Sequence, residues 1–268
     1  MIELPRMLEP SVLAPHIDNP SLLIVDVCND EQYLRGHIPG AVHVPIGAVK
    51  ANTPPAPGKL ANPLQLQAVL RQLGVDEDKT IVVYSDDGGA SAGRFIWTLE
   101  MVGITRWAFL NGGLQAWHSE NLALESGAVS GQPSNFEPKY SPASRMEKGD
   151  IEARLGDKNL VVWDARSVGE YNGSDVRAAR GGHIPGAVQC EWSTLVDPQR
   201  ATRLREDMAD YLQSCGITGD KTIVTHCHTH QRSGLTWLAG KLLGFNDIRA
   251  YDGSWSEWGN DFDLPVEV

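Results

Sequence analysis

Basic residues are scarce: 23 Lys and Arg stand against 34 Asp and Glu, leaving a formal charge of -11 over 268 residues. Nucleic acid is therefore not an expected partner, because neutralising phosphates requires a basic face. Long apolar runs are missing too. None nears the roughly 18 residues that span a bilayer, so no membrane is expected. The stretch Met1-Ile2-Glu3-Leu4-Pro5 lacks the basic-then-apolar order of a secretory leader, and a cytoplasmic location is expected. Cysteines are few and separated: Cys28, Cys190, Cys215 and Cys227 form no Cys-x-x-C pair. In a reducing compartment each is either packing or chemistry. What remains, with hydrophobic content of 41% and charged content of 21%, is the composition of a soluble globular protein long enough for two domains.

The chain repeats itself. Gly74-Val75-Asp76-Glu77-Asp78-Lys79-Thr80-Ile81-Val82 returns as Gly216-Ile217-Thr218-Gly219-Asp220-Lys221-Thr222-Ile223-Val224. His37-Ile38-Pro39-Gly40-Ala41-Val42 returns intact from His183 to Val188, and Trp117 answers Trp258. The matches keep their order at nearly constant spacing, as a duplicated domain requires. Residues 125–145, rich in Pro, Gly and Ser, have linker chemistry. The expected division is thus 1–124, linker 125–145, and 146–268.

Within each copy, short apolar runs alternate with segments of helical period. Residues 22–27 and 81–84 are nearly all apolar, the pattern of strands buried on both faces. Between them Leu66, Val69, Leu70 and Leu73 mark one helical face, with Asn62 suited to cap its start, Pro63 to its first position and Gly74 to its end. In the second copy Leu204, Met208, Tyr211, Leu212 and Cys215 suggest the same stripe, which would make Cys215 core packing. The order predicts an α/β fold: two similar domains, each a parallel sheet flanked by helices on both faces, with the site at the carboxyl ends of strands.

One strand end stands out. Residues 221–226 form a strand, Cys227-His228-Thr229-His230-Gln231-Arg232 a polar loop, and an apolar helix follows with Ser233 near its start. A loop closing into a helix converges backbone N–H groups on one point, an anion-holding nest. A free thiol, with pKa near ~8.5, is only a few per cent ionised at pH 7. Lowering that pKa by about two takes roughly 2.7 kcal/mol of preference for the thiolate. Each hydrogen bond to a charged acceptor supplies about 1.5–3 kcal/mol, so two or three loop donors suffice. Cys227 is expected to be a thiolate nucleophile at neutral pH.

The strand, Cys227, four residues, Arg232 and helix resemble the active-site loop of the rhodaneses (thiosulfate sulfurtransferases). The repeated His-Ile-Pro-Gly-Ala, Trp163-Asp164-Ala165-Arg166 and Gly253-Ser254-Trp255-Ser256-Glu257-Trp258 are similar to that family as well. The resemblance spans essentially the whole chain, in the tandem form with an inactive first domain and a catalytic second one. It implies a five-stranded parallel sheet in each domain. It also implies transfer of a sulfane sulfur from thiosulfate, or a similar small anionic donor, through a Cys227 persulfide. The acceptor would be thiophilic: cyanide, a thiol or a protein. His228, Thr229, His230, Gln231, Arg232, Ser233, Trp192 and Arg166 are the expected binding residues. No metal or organic cofactor is required. One departure concerns the donor. Relatives that use mercaptopyruvate, and the mammalian thiosulfate enzyme, carry a substrate-gripping arginine shortly after the Asp-x-Arg motif, where this chain has Glu170, and the glycine-containing loop of the mercaptopyruvate enzymes is absent. A 3-mercaptopyruvate sulfurtransferase is therefore the second choice.

In the first copy Ser85 stands at the position of Cys227 and Ala90 at that of Arg232, and the loop brings in Asp86 and Asp87. Carboxylates in a nest suited to anions leave no room for a thiolate or an oxyanion. A cysteine phosphatase or arsenate reductase is a rival, but phosphatases of this fold place five residues between Cys and Arg rather than four. The crowding of His226, Cys227, His228 and His230 also raises zinc, yet no second ligand cluster accompanies it. His37 and His183 occur in both copies and are read as supports for a turn. Asp26 and Asp164, equally shared, are read as anchors of backbone at strand ends, and Cys28 and Cys190 as inert.

Overall fold

The computed structural model describes residues 3–268; Met1 and Ile2, part of the opening stretch that lacks a leader pattern, lie outside the described residues. The first half of the chain runs through β1 (Met7–Leu8), α1 (Pro10–Leu13), β2 (Leu22–Asp26), α2 (Asp30–Arg35), β3 (Val42–His43), α3 (Pro63–Leu73), β4 (Thr80–Tyr84), α4 (Ala90–Met101), β5 (Trp107–Leu110) and α5 (Gly113–Ser119). There follow α6 (Lys148–Glu152), β6 (Leu160–Asp164), α7 (Val168–Tyr171), β7 (Val188–Gln189), a small hairpin of β8 (Val196–Asp197) and β9 (Arg203–Leu204), then α8 (Met208–Ser214), β10 (Thr222–His226), α9 (Arg232–Leu242), β11 (Asp247–Ala250) and α10 (Ser254–Trp258). Two parallel sheets result, ordered β1-β5-β4-β2-β3 and β11-β10-β6-β7. Every residue of β2 and β4 is buried, and so are Ile223 to His226 of β10, as strands covered by helices on both faces must be.

Local chemistry explains the boundaries. The Asn62 side chain accepts the Gln65 N–H at 3.0 Å, Pro63 opens α3, and Gly74 closes it at φ +83°, where a side chain would also collide with the Gln132 carbonyl. Three expectations need correction. The second sheet has four strands, not five: the edge place beside β11 is taken by a lone bridge between Arg145 and Ala250, with the Met146 N–H donating to the Ala250 carbonyl at 3.0 Å. Leu204 belongs to β9, not to a helix; α8 starts at Met208, and Cys215 closes it half-buried, its thiol against the buried Cys190. The Pro-rich segment is also not a free tether. Ser134 and Lys139 donate to the carbonyls of Arg71 and Val102, and Phe136 is buried, so the segment lies along the first sheet's helices.

The two compact units are not contiguous in sequence. Residues 3–49, Ala61–Ser141 and Val196–Leu204 make the first; Lys50–Leu60, Pro142–Leu195 and Arg205–Val268 make the second. In the first, Arg203 of the hairpin pairs with Glu9 and Glu120, and the Leu204 N–H donates to Asn111 at 2.8 Å. In the second, the Leu60 N–H donates to the buried Asp252 carboxylate at 2.9 Å, and Lys59 pairs with Glu257 at 2.8 Å. Each unit is thus clamped by a short segment drawn from elsewhere in the chain.

Candidate active site

Cys227 sits at the carboxyl end of β10, the second strand of its sheet, immediately before a loop that α9 closes. The backbone of the loop is held from behind. The Cys227 N–H donates to the Ser254 hydroxyl at 3.3 Å, and the Cys227 carbonyl accepts from Trp255 N–H at 3.0 Å. Ser256 N–H donates to the His228 carbonyl at 3.0 Å. His230 adopts φ +52° and Ser254 φ +54°, left-handed conformations that only a tightly determined loop imposes on residues with a side chain. Gly58 lies so close that a Cβ there would stand 2.2 Å from the Thr229 carbonyl oxygen, so the loop is closed over on that side by backbone. Lys50 Nζ donates to Gln231 Oε1 at 3.1 Å.

The thiol is 1% exposed. Burial alone raises a thiol's pKa, because it penalises the charged form. That effect is overcome at Cys227 by the Arg232 guanidinium, the hydroxyl and backbone N–H of Ser233, and the Thr229 N–H, and the pKa is lowered. The Ser233 hydroxyl is itself fixed by His230 Nδ1 at 2.8 Å; with Nδ1 protonated, the hydroxyl hydrogen is left to point at sulfur. The other cysteines behave oppositely. Burial, with Asp26 and Asp86 nearby, pushes Cys28 far up, and burial beside Cys215 pushes Cys190 up to about 12. Burial also lowers the pKa of His226 and of His228, so both rings are neutral at pH 7.

Six of the residues expected to bind substrate (His228, Thr229, His230, Gln231, Arg232 and Ser233) form the turn around Cys227. Trp192 opens a half-buried turn whose N–H donates to the Ala165 carbonyl at 3.2 Å, and that turn packs against α9. Arg166 is different. It is 1% exposed, its Nε and Nη2 grip Asp164 at 2.9 and 2.5 Å, Nη2 also reaches the Gly182 carbonyl, and its guanidinium lies 4.4 Å from the Trp255 ring. Its charge is matched inside the core, not offered to an anion. Asp164 and Asp26 anchor backbone as expected, accepting the N–H of Arg166 and Cys28. His183 and His37 stack on Tyr171 and Tyr33 and bond their carbonyls, which supports the turn reading.

Glu170, the position at which mercaptopyruvate-using relatives carry an arginine, pairs with the arginine of the Cys227 loop. Its side chain is 2% exposed and takes both ends of the Arg232 guanidinium, at 2.6 Å to Nη1 and 2.8 Å to Nη2. Burial opposes ionisation, but Arg232 and the Ser167 N–H outweigh it and bring the carboxyl down to about 2. Arg232, with one N–H of each Nη given to Glu170, acts on Cys227 by its charge and by a side-chain hydrogen bond. The readable sign was the capping box of Ser167 and Glu170 at the start of α7, which turns the carboxylate back toward the helix end.

In the first unit the same frame carries its own anion. Asp87 accepts from the Ser85 hydroxyl at 2.8 Å, from Ser91 N–H at 3.1 Å and from the Ser91 hydroxyl at 2.7 Å, at the start of α4. Asp86 instead accepts from Asn29 at 3.1 Å, so a single carboxylate does what the sequence assigned to two. Among the described residues, no group of three or more His, Cys, Asp or Glu is arranged to hold a metal ion. No helix among them is long and apolar enough to cross a membrane.

Comparison with known proteins identifies the family. A thiosulfate sulfurtransferase of Pseudomonas aeruginosa is 46% identical over 99% of this chain and 98% of its own length. A 3-mercaptopyruvate sulfurtransferase of Escherichia coli is 32% identical over 95% of each. The crystal structure of SseA from Escherichia coli, described with the rhodanese fold of 3-mercaptopyruvate sulfotransferases, matches with a TM-score of 0.83 at 30% identity, over 94% of this chain and 99% of that one. The rhodanese-like domain family matches twice, at residues 9–120 and 147–261. The protein is a member of that family, a sulfurtransferase with the domain in tandem.

Proposed function

We propose that the second unit is a thiosulfate sulfurtransferase that works through a persulfide on Cys227. The observation that carries this reading is geometric: a thiol 1% exposed at the end of β10, beside the Arg232 guanidinium and facing donors from Ser233 and Thr229 that favour its thiolate. The thiolate attacks the outer sulfur of thiosulfate; an Sγ–S bond forms, the donor's S–S bond breaks, and sulfite leaves with the bonding pair. The persulfide is again an anion, held by the same donors. A thiophilic acceptor such as cyanide, a thiol or a protein nucleophile then attacks the terminal sulfur and releases the Cys227 thiolate, giving ping-pong kinetics. No proton has to be supplied in either half-reaction, which fits a site whose nearby His226 and His228 are neutral. The chemistry needs Cys227 reduced, as it is in the cytoplasm.

Glu170, standing where mercaptopyruvate-using relatives carry an arginine and already paired with Arg232, supports thiosulfate over mercaptopyruvate as the donor. The test is thiosulfate:cyanide turnover. Cys227→Ala should reduce it to background and Ser85→Ala should leave it intact; turnover retained in the first variant rejects the assignment.

A further inference from the structure

Two cysteines that sulfur transfer does not use lie together in the second unit. Cys190 follows β7 and is buried. Its N–H donates to the Asp164 carbonyl at 3.1 Å, and its carbonyl accepts the Trp163 indole N–H at 2.7 Å, so its backbone is fixed against β6. Cys215 comes from another element. It closes α8, its N–H donating to the Leu212 carbonyl at 3.1 Å, and it is only half-buried. The two thiols are in hydrogen-bond contact, and the hydroxyls of Thr194 and Tyr211 stand beside the Cys190 sulfur. A cysteine that merely packs is met by apolar neighbours. Cys190 is met by a second thiol and two hydroxyls, with solvent reaching its partner. Two sulfurs already in contact can close a disulfide by a short approach.

We propose that Cys190 and Cys215 are a redox-active dithiol, a modification site that does not involve Cys227, whose disulfide locks residues 190–215 into a covalent ring. The oxidant is a low-molecular-weight disulfide such as oxidised glutathione. Cys215, the partner that solvent reaches, attacks as the thiolate. A bond forms from its sulfur to one sulfur of the small disulfide, the S–S bond of that disulfide breaks, and one thiolate leaves. The Cys190 sulfur then attacks the Cys215 sulfur, and its proton goes to the second leaving thiolate. Two protein thiols are oxidised and one small disulfide is reduced to two thiols. An excess of small thiol reverses both steps. The ring contains the hairpin of β8 and β9, whose Arg203 pairs with Glu9 and Glu120. Closing it removes freedom from the unfolded chain, so the oxidised form melts at a higher temperature.

Trypsin separates the two cysteines, placing Cys190 in peptide 181–200, Cys215 in 206–221 and Cys227 in 222–232. The whole protein is incubated with oxidised glutathione, its remaining free thiols are blocked, and it is digested without reductant. Peptides 181–200 and 206–221 should then appear joined within a single chain and lighter by two hydrogens, and dithiothreitol should release them. Glutathione on Cys227 is read on its own peptide and does not enter the result. Oxidation should raise the Tm of the wild type by about 5 °C or more, the scale of a ring this size, and Cys190→Ser and Cys215→Ser should not show the rise. In Cys190→Ser, glutathione should remain on Cys215, because no second thiol resolves the mixed disulfide. Unlinked peptides in the wild type, whether both thiols stay free or Cys215 retains glutathione, overturn the proposal. A linked pair that leaves Tm unchanged overturns the lock.

Discussion

Asp87 holds the backbone N–H and the hydroxyl of Ser91 together with the hydroxyl of Ser85, so the first unit fills its anion nest with its own side chain. A thiol placed at Ser85 would face a carboxylate and stay protonated. Ser85→Cys in a Cys227→Ala background should therefore take up no sulfur from thiosulfate, as read by mass spectrometry. A persulfide at position 85 would show that the strand, loop and helix suffice without an open nest.

The Ser233 hydroxyl, held by His230, is one of the donors that stabilise the Cys227 thiolate. A hydrogen bond to a charged group contributes about 1.5–3 kcal/mol, which corresponds to about one to two in pKa. Ser233→Ala should move the pH profile of iodoacetamide alkylation upward by about that much. Superimposable profiles would remove Ser233 from the account.

Arg166 and Asp164 form a pair with both side chains at or below 1% exposure. Removing one partner leaves a buried charge unmatched, which typically costs about 3–5 kcal/mol. Arg166→Met should lose stability on that scale in urea unfolding, while the folded protein keeps its KM for thiosulfate. A raised KM with stability unchanged would return Arg166 to the role of substrate ligand.

The sign of the acid response follows from Glu170. Its folded pKa of about 2 lies below the ordinary glutamate value, because Arg232 and Ser167 overcome the effect of burial. Such a group adds stability that is fully present above its unfolded pKa of about 4.3 and fades as pH falls toward the folded value. Chemical unfolding followed between about pH 5 and pH 2 should show a smaller loss in Glu170→Gln than in the wild type. Parallel losses would mean that the pair does not contribute.

What could be read in the sequence was local. Asn62, Pro63 and Gly74 set the ends of α3 by bonds to near neighbours, and the loop from Cys227 to Ser233 is contiguous, so its nest was legible from residue order. The pairing of Glu170 with Arg232 spans 62 residues: the Ser167 cap turns the carboxylate back toward the start of α7, but which partner it meets there depends on how α7 packs beside the Cys227 loop. Arg166 looked available because an arginine near a strand end resembles an anion ligand; the buried Asp164 two residues before it decides otherwise. The exchange of Lys50–Leu60 and Val196–Leu204 between units was hidden for the same reason: each is a short polar segment whose partners lie far along the chain.

The central claim is that Cys227 alone carries the transferred sulfur. Treating the intact protein with thiosulfate, digesting it without reductant and weighing the cysteine peptides tests this most directly. The account predicts one added sulfur atom on the Cys227 peptide and none on those of Cys28, Cys190 or Cys215, the first two of which are held as thiols. An unmodified Cys227 peptide, or sulfur on another cysteine, would contradict it.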